Sequence, residues 1–310
     1  MDCRLSVLVV SRTPTLLNRL LVSLVSACSL PLSLVEVLCS WNGTPADEAL
    51  IQAPDGLTFQ VVSRDAYHFA ANVNTLASVA RAEVLLLVND DVILDQGSVD
   101  SALSAMLGQP HVALIGSHLR GLDGRLTHAG ILFDFFGSPF HSLESLIAAN
   151  APFVCCREDR FVAVSGALML IRRSALLQLR MNEAYRVCGE DVEFCLDVCE
   201  ILRAKVLYLS GFSGIHEAES TRSTIPGQAA NARDQRLLKA RRRRFDRRVE
   251  RQVLIDEWRL QRDVASFCVR EKLKSLPGVV FLVLTLIRSG LWISWRLIHT
   301  RWPRPQRQRR

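Results

Sequence analysis

The feature that most constrains the fold is an alternation of short apolar segments with longer amphipathic ones from Leu5 to Gly116. The first segment, RLSVLVVS, shows no apolar-polar alternation, which is typical of a strand buried on both faces. TPTLLNRLLVSLVSA follows at helical spacing, with Thr13 as the expected N-cap and Pro14 at the first helical position. Residues 34–39 are the second predicted strand, closed by the turn WNGT, and TFQVV is the third. EVLLLV and HVALIG are further predicted strands, each preceded by a helical segment. This order predicts an α/β fold with a mostly parallel central sheet and helices on both faces.

The pattern changes in the second half of the chain. Asp123-Gly124 predicts a hairpin turn, and FVAVSGALMLIRR predicts a single apolar strand. A helix is expected to begin near Asp191, and KVLYLS predicts the strand that follows it. Residues 228–251 predict a basic helix without a wide apolar stripe.

Charge is unevenly distributed along the 310 residues. Residues 231–310 hold 22 of the 38 Lys and Arg and 7 of the 31 Asp and Glu, a net charge of +15. Residues 1–230 therefore carry −8 of the total of +7. An acidic body with a basic tail indicates a cation or cation-bearing ligand for the body and an anionic partner for the tail.

The cysteine content favours a reducing compartment. The nine cysteines are an odd number without a C-x-x-C pair, and no secretory signal is visible after Met1. We therefore expect reduced thiols in a cytoplasmic protein. Cys188, Cys195 and Cys199 lack metal-ligand spacing and are expected to pack a helix instead.

Two adjacent carboxylates interrupt the apolar run LLLVNDDVIL where the predicted strand ends. Asn89, Asp90 and Asp91 lie at the carboxyl end of a strand, where ligands of parallel sheets bind. Capping of the next helix would explain one Asp. A divalent cation held by carboxylates and phosphate oxygens would explain the whole cluster.

Two later segments carry further polar candidates. Glu190 and Asp191 follow a glycine at a predicted helix start, where Asp191 is either an N-cap or a general base. His216 lies in the loop segment GIHEAEST, and such a residue is either a surface histidine or a metal ligand beside Asp91.

In this order and at these separations, the segments resemble the family 2 glycosyltransferases, inverting enzymes of the GT-A fold that use nucleotide sugars. The resemblance runs from about Leu5 to about Arg222 and includes NVNTLASVARAEVLLLVNDDVIL, GEDVEFCLDV and IHEAESTR. LTHAGILFDFFGSPFH and VSGALMLIRRSAL are similar to stretches of the bacterial surface-polysaccharide branch.

The resemblance implies a role for each candidate. Asp91 would bind a divalent cation, Mg²⁺ or Mn²⁺, and His216 would complete the metal or diphosphate site. Asp191 would be the catalytic base, and Glu190 would assist it or bind the acceptor. The remaining candidates would contact the nucleotide sugar: Asn89 and Asp90 toward the ribose and diphosphate, and Ser11, Arg12, Asn42 and Asn74 along the nucleotide pocket.

The sequence departs from the family pattern in two places. The family usually carries an Asp after the second strand, where this chain has Trp41 and Asn42, and Trp41 is a candidate to stack on the base. Leu76 and Ala82 replace two glycines of the family, a change that a helix tolerates.

The C-terminal region predicts attachment to a membrane. The apolar run Leu276–Ile287 is too short to cross a bilayer, and its continuation contains Arg288. Trp292, Trp295 and Trp302 with flanking arginines favour an interfacial or re-entrant helix over a span, or over a helix packed on the core. The expected site is the cytoplasmic face of the inner or plasma membrane, on anionic lipid beside a lipid-linked acceptor.

The expected domains are a GT-A catalytic domain over residues 1–225, a basic helical extension over 226–272 and a membrane-associating segment over 273–310. The expected function is metal-dependent transfer of a sugar to a glycan or lipid-linked acceptor in cell-surface polysaccharide synthesis. Two alternatives remain open. One is a nucleic-acid-binding protein that uses RRRRFDRR, although this leaves the acidic motifs unexplained. The other is a non-catalytic binder of sugar nucleotides.

Overall fold

The protein is represented by a computed structural model that describes residues 3–155, 158–217 and 231–299. The strands are β1 Leu5–Ser11, β2 Val35–Trp41, β3 Thr58–Ser63, β4 Val84–Val88, β5 Val92–Leu94, β6 Val112–Arg120, β7 Leu126–His128, β8 Ile131–Phe133, β9 Pro139–His141, β10 Glu158–Phe161, β11 Leu168–Arg172 and β12 Lys205–His216. The helices are α1 Pro14–Ala27, α2 Pro45–Glu48, α3 Phe69–Val79, α4 Ser98–Gly108, α5 Arg173–Leu179, α6 Glu190–Glu200, α7 Ala232–Arg248, α8 Arg251–Arg270 and α9 Leu276–His299.

Ten of the strands form one sheet, whose central path has the order β10-β12-β6-β11-β4-β1-β2-β3. Strands β3, β2, β1, β4, β6 and β12 run in one direction, and β11 and β10 run in the other. The prediction of a mostly parallel sheet is therefore confirmed. Because β11 inserts antiparallel between β4 and β6, the carboxyl ends of these two strands still meet at the same edge.

Helices cover both faces of the sheet, as the sequence predicted. In β1, Leu5, Val7 and Val9 pack into one core with α1, whereas Leu8 and Val10 pack into a second core with α3 and α6. All seven residues of β1 are buried, which explains why its sequence shows no alternation.

The prediction that FVAVSGALMLIRR forms one strand is wrong, because residues 162–167 separate β10 from β11. The amides of Ser165 and Gly166 donate to the side chains of His128 and Asp191. The carbonyl of Ala167 accepts from the amide of Asn89. Bonds to two side chains and to one backbone amide outside β10 and β11 thus accompany the interruption between these strands.

Helices α7 and α8 pack on the same core as the sheet. Arg241 bonds to Asp197 and Glu200, and Arg242 makes two bonds of 2.7 Å to Glu257. Both arginines are buried, so the expectation that the Arg-rich run as a whole meets an anionic partner is wrong for these two. The same finding weakens the nucleic-acid alternative, because two of the four consecutive arginines already form ion pairs with carboxylates of the protein.

Helix α9 is a single helix of 24 residues that continues through Arg288. Residues Leu276–Arg296 are long and apolar enough to cross a membrane by length and composition, with a mean hydropathy of 1.9, and 11% of the apolar stretch is buried. Its inner face is bonded to the body, because the indoles of Trp258 and Trp292 donate to the carbonyls of Leu286 and Asp246. The predicted interfacial residue Trp302 lies outside the described residues.

The buried pair of Arg242 and Glu257 is expected to dominate the stability of this region. The Glu257→Ala variant leaves a buried guanidinium without its main partner, so the free energy of unfolding should fall by about 3–5 kcal/mol. Asp263→Ala is the matched control, because its ion pair with Arg262 is exposed and should contribute less than about 1 kcal/mol. Urea unfolding followed by circular dichroism measures both, and equal losses would contradict the assignment.

Candidate functional site

A cleft of about 480 Å³ opens at the carboxyl edge of the sheet. Segments that are far apart in the sequence line it, because the parallel strands β1 and β4 end there and α6 begins there. The cleft contains most of the residues predicted from the sequence, namely Ser11, Arg12, Asn89, Asp90, Asp91, Glu190, Asp191 and His216.

Asp91 and His216 lie side by side at the base of this cleft. The end of β12 pairs with β5, and the register sets His216 opposite Val92. The Nε2 atom of His216 is therefore 3.3 Å from Oδ1 of Asp91, and the two side chains are 17% and 8% exposed. A carboxylate is a suitable ligand for Mg²⁺ or Mn²⁺ and an imidazole is a ligand of divalent transition metals, so the donor set fits a divalent cation. Among the described residues no group of three or more His, Cys, Asp or Glu surrounds a metal position.

Asp90 adds a second carboxylate to the same turn. The hydroxyl of Ser11 donates to Oδ2 of Asp90 at 2.6 Å, and this bond joins the ends of β1 and β4. Burial raises the pKa of Asp90 to about 6, with the charge of Asp91 adding to the effect and the Ser11 hydrogen bond opposing it. Two close, buried carboxylates favour a cation in this position.

Asp191 is held by backbone amides at the start of α6. Its Oδ2 accepts from the amide of Gly166 at 2.7 Å, and its Oδ1 accepts from the amide of Val192 at 2.8 Å. The N-cap position is occupied by Gly189, with a φ of 110°, so Asp191 is not the N-cap residue, although its carboxylate accepts from an amide of the first helical turn. Neighbouring Glu190 is 6% exposed and lines the cleft beside Asp191. The geometry presents a carboxylate of fixed orientation to the cleft, as general-base chemistry requires.

The prediction that Asn74 lines the nucleotide pocket is wrong. Its side chain is 3% exposed and makes three hydrogen bonds of 2.9 Å, two with the backbone of Met181 and one with Glu183. These bonds tie α3 to the segment after α5, so Asn74 has a structural role.

The interpretation of Trp41 as a stacking residue is also wrong, because its side chain is 1% exposed and its indole donates to the carbonyl of Thr44. Asn42 lies beside the end of β1, where its amide donates to the carbonyl of Ser11 at 2.7 Å. The side-chain amide of Asn42 donates to the carbonyl of Asp65, and Asn42 is not among the described residues that line the cleft.

Sequence reasoning missed one side of the cleft. The residues concerned come from the start of α3 and the segment before it, from β7, β9 and α7, and they include Tyr67, Phe69, His128, Phe140, His141, Gln235 and Lys239. The segment LTHAGILFDFFGSPFH was similar to known stretches but offered no role for single residues. Lys239 was missed because the basic helix was interpreted as an extension separate from the body.

Of the cysteines that the structure describes, Cys188 lines the cleft. The eight that the structure describes are not in disulfides, and Cys195 and Cys199 are fully buried in the core, as expected for packing residues. Burial raises the pKa of Cys199 to about 12, which keeps it a thiol.

No family model matches this chain. Two solved structures of similar fold are glycosyltransferase complexes. The mannosyltransferase PcManGT from Pyrobaculum calidifontis, in complex with GDP-Man and Mn²⁺, has a TM-score of 0.58 and 14% identity, and the match covers 96% of this chain and 88% of that one. GalNAc-T7 with UDP, GalNAc and Mn²⁺ has a TM-score of 0.54 and 13% identity, over 69% of this chain and 44% of that one. The protein therefore has the GT-A fold that the sequence resemblance implied.

Two curated relatives match parts of the sequence. An uncharacterized protein of Sinorhizobium fredii is 30% identical over 143 residues, which is 44% of this chain and 16% of the relative. The O-antigen biosynthesis protein RfbC of Myxococcus xanthus is 29% identical over 191 residues, which is 59% of this chain and 15% of the relative. The matched region thus spans about a sixth of each relative's length.

Proposed function

We propose that the protein is an inverting, divalent-cation-dependent glycosyltransferase that acts in cell-surface polysaccharide synthesis. It would move a sugar from a nucleotide-diphospho-sugar to a hydroxyl of a glycan or lipid-linked acceptor. One observation carries the proposal: the Asp91–His216 pair and the amide-held Asp191 meet in a single cleft of a GT-A fold. The sugar nucleotide and Mn²⁺ of the two similar complexes, and the O-antigen role in the name of the Myxococcus relative, support it.

The donor would bind on the side of the cleft formed by β1, β4 and β12. Asp91 and His216 would hold the cation, which when bound neutralises charge on the leaving diphosphate. Asn89 and Asp90 lie on the same turn and would face the diphosphate and ribose, and Ser11 fixes the orientation of Asp90. Arg12 lines this side of the cleft and would add a positive charge near the nucleotide.

Asp191 would activate the acceptor. Its carboxylate takes the proton of the acceptor hydroxyl as the hydroxyl oxygen attacks the anomeric carbon. The new carbon–oxygen bond forms on the face opposite the bond to the leaving diphosphate, so the configuration inverts. The amides of Gly166 and Val192 orient the carboxylate. Glu190 is the preceding residue, is buried and lines the same cleft, so it would bind the acceptor or assist the base.

The decisive experiment is a panel of nucleotide sugars with the full-length chain and Mg²⁺ or Mn²⁺. Release of nucleoside diphosphate that requires the cation supports the proposal. Tight binding of a nucleotide sugar without turnover of any acceptor or of water would favour the non-catalytic alternative.

The Asp91→Asn variant should abolish transfer and weaken cation-dependent nucleotide binding, because one ligand charge is lost. Asp123→Asn is the matched control, since the same chemical change is made at an exposed hairpin turn and should leave both unchanged. Turnover and titration calorimetry with nucleoside diphosphate and Mn²⁺ measure the two effects. Near-normal turnover of Asp91→Asn would refute the assignment of this residue.

The Asp191→Asn variant should behave differently, because the base acts only while the acceptor attacks. We expect kcat to fall by about 10²–10⁴-fold with donor affinity preserved. Steady-state kinetics and nucleotide binding, measured on the same preparation, separate the effect on kcat from the effect on donor affinity. A parallel fall in donor affinity with an unchanged kcat would make Asp191 a binding residue instead.

We further propose that α9 attaches the enzyme to the cytoplasmic face of an anionic membrane. The outward face of α9 exposes a row of apolar side chains, namely Leu276, Val280, Phe281, Val283, Leu284, Ile287, Leu291 and Trp295. The exposed arginines of α7, such as Arg243 and Arg244, would add attraction to anionic lipid. Because the inner face of α9 is bonded to α7 and α8, an interfacial position of the helix is favoured over a span.

The triple variant Val280→Ser, Leu284→Ser, Leu291→Ser should lower binding to phosphatidylglycerol-containing vesicles by at least about tenfold, because three apolar side chains lose their burial in lipid. The control variant Val22→Ser, Leu107→Ser, Leu122→Ser removes apolar side chains of the body that are at least as exposed, and it should bind as the wild type does. Vesicle sedimentation measures both, and unchanged sedimentation of the α9 variant would show that this face is not the anchor.

A further inference from the structure

Two histidines that line the cleft form a pair that the proposed mechanism does not use. His128 ends β7 and His141 ends β9, and both line the cleft. Their rings meet edge to face, with centroids 4.9 Å apart and planes at 76°. The two Nδ1 atoms are 2.9 Å apart, which is a hydrogen-bond distance.

The position of the proton on His128 follows from its other partners. Its Nε2 accepts from the amides of Gly130 at 3.3 Å and Ser165 at 3.2 Å, so this nitrogen carries no proton. The ring is buried, and burial followed by the nearby His141 lowers its pKa well below the usual value. His128 is therefore neutral with its proton on Nδ1.

The tautomer of His141 follows from that of His128. Since Nδ1 of His128 donates, Nδ1 of His141 must accept, and the neutral ring of His141 carries its proton on Nε2. The side chain is partly exposed, and no described residue bonds to its Nε2. His141 thus offers the cleft an N–H group that stays a donor as long as the pair is intact.

The pair lies on the side of the cleft that contains the proposed base. Ser165 and Gly166 are consecutive, and their amides donate to His128 and to Asp191, respectively. The loop that orients the base therefore also orients the histidine pair. A group restricted to donation cannot take the proton of the attacking hydroxyl, but it can bind another oxygen of the same molecule.

We propose that His141 binds the acceptor by donating its Nε2–H to a sugar hydroxyl oxygen, and that His128 is a positioning residue that fixes the tautomer of His141. This assignment rests on the glycosyltransferase function proposed above. It concerns an acceptor contact distinct from the cation pair and from the base.

The first test is independent of activity. Selective ¹⁵N labelling of histidine in the full-length chain, with long-range ¹H–¹⁵N correlation at neutral pH, reports the tautomer of each ring. His128→Gln and His141→Gln spectra assign the two signals. We expect an Nδ1–H ring for His128 and an Nε2–H ring for His141. An Nδ1–H ring for His141, or a charged His128, would overturn the proposal.

The second test separates the acceptor from the donor. His141→Leu should raise the KM for the p-nitrophenyl glycoside that the wild type uses best by about three- to tenfold, the contribution of one uncharged hydrogen bond. The KM for the nucleotide sugar and the affinity for nucleoside diphosphate with Mn²⁺ should not change. His141→Gln should restore much of the loss, because its side-chain amide retains an N–H donor. His111→Leu is the control, since it makes the same change at an exposed position.

The outcomes distinguish the two proposals. If the wild type turns over no nucleotide sugar, the proposed function fails and the acceptor role of His141 fails with it. If turnover is normal and His141→Leu leaves the acceptor KM unchanged, or weakens donor binding equally, only the inference about His141 is overturned.

Discussion

The cleft depends on the way β12 changes partners along its length. The first half of β12 pairs with β10 and β6, and its last residues pair with both β6 and β5 across an irregularity between Tyr208 and Ser213. At this irregularity Asp95 accepts two bonds from Arg120 and one from Ser213. Burial alone would raise the pKa of Asp95, but these partners lower it and keep the carboxylate charged. The end of β12 is thereby held over β5, and His216 reaches Asp91.

The fold and the acidic half of the site could be predicted because both leave local marks in the sequence. Unbroken apolar strands alternating with helices restrict the architecture to a covered, mostly parallel sheet. Asp91 and Asp191 stood out because carboxylates at the end of a strand and at the start of a helix have few structural uses. Their placement in one cleft follows from the sheet, whereas the contact between Asp91 and His216 depends on strand pairing across 125 positions.

The remaining differences between prediction and structure arise where a side chain's burial or orientation is decided by its bonding partners, most of them remote in the sequence. Asn74 and Trp41 are polar or aromatic residues near the expected nucleotide site, but their hydrogen bonds to Met181 and Thr44 turn them inward. Four identical arginines in a row carry no sign of which face the core, and only the carboxylates on α6 and α8 select Arg241 and Arg242 for burial. The tautomer of His141 could not be predicted either, because the amides of Gly130 and Ser165 set it through His128.

The shared loop at Ser165 and Gly166 has a thermodynamic consequence. The two amides belong to neighbouring planar peptide units, so a displacement of one reorients the other. The orientation of the Asp191 carboxylate and the geometry of the histidine pair are therefore not independent variables. Disturbing either group relaxes the loop that serves both, so the free-energy effects of altering both should be less than the sum of the separate effects. The cleft behaves on this side as one cooperative unit, in which selection on one group constrains the other.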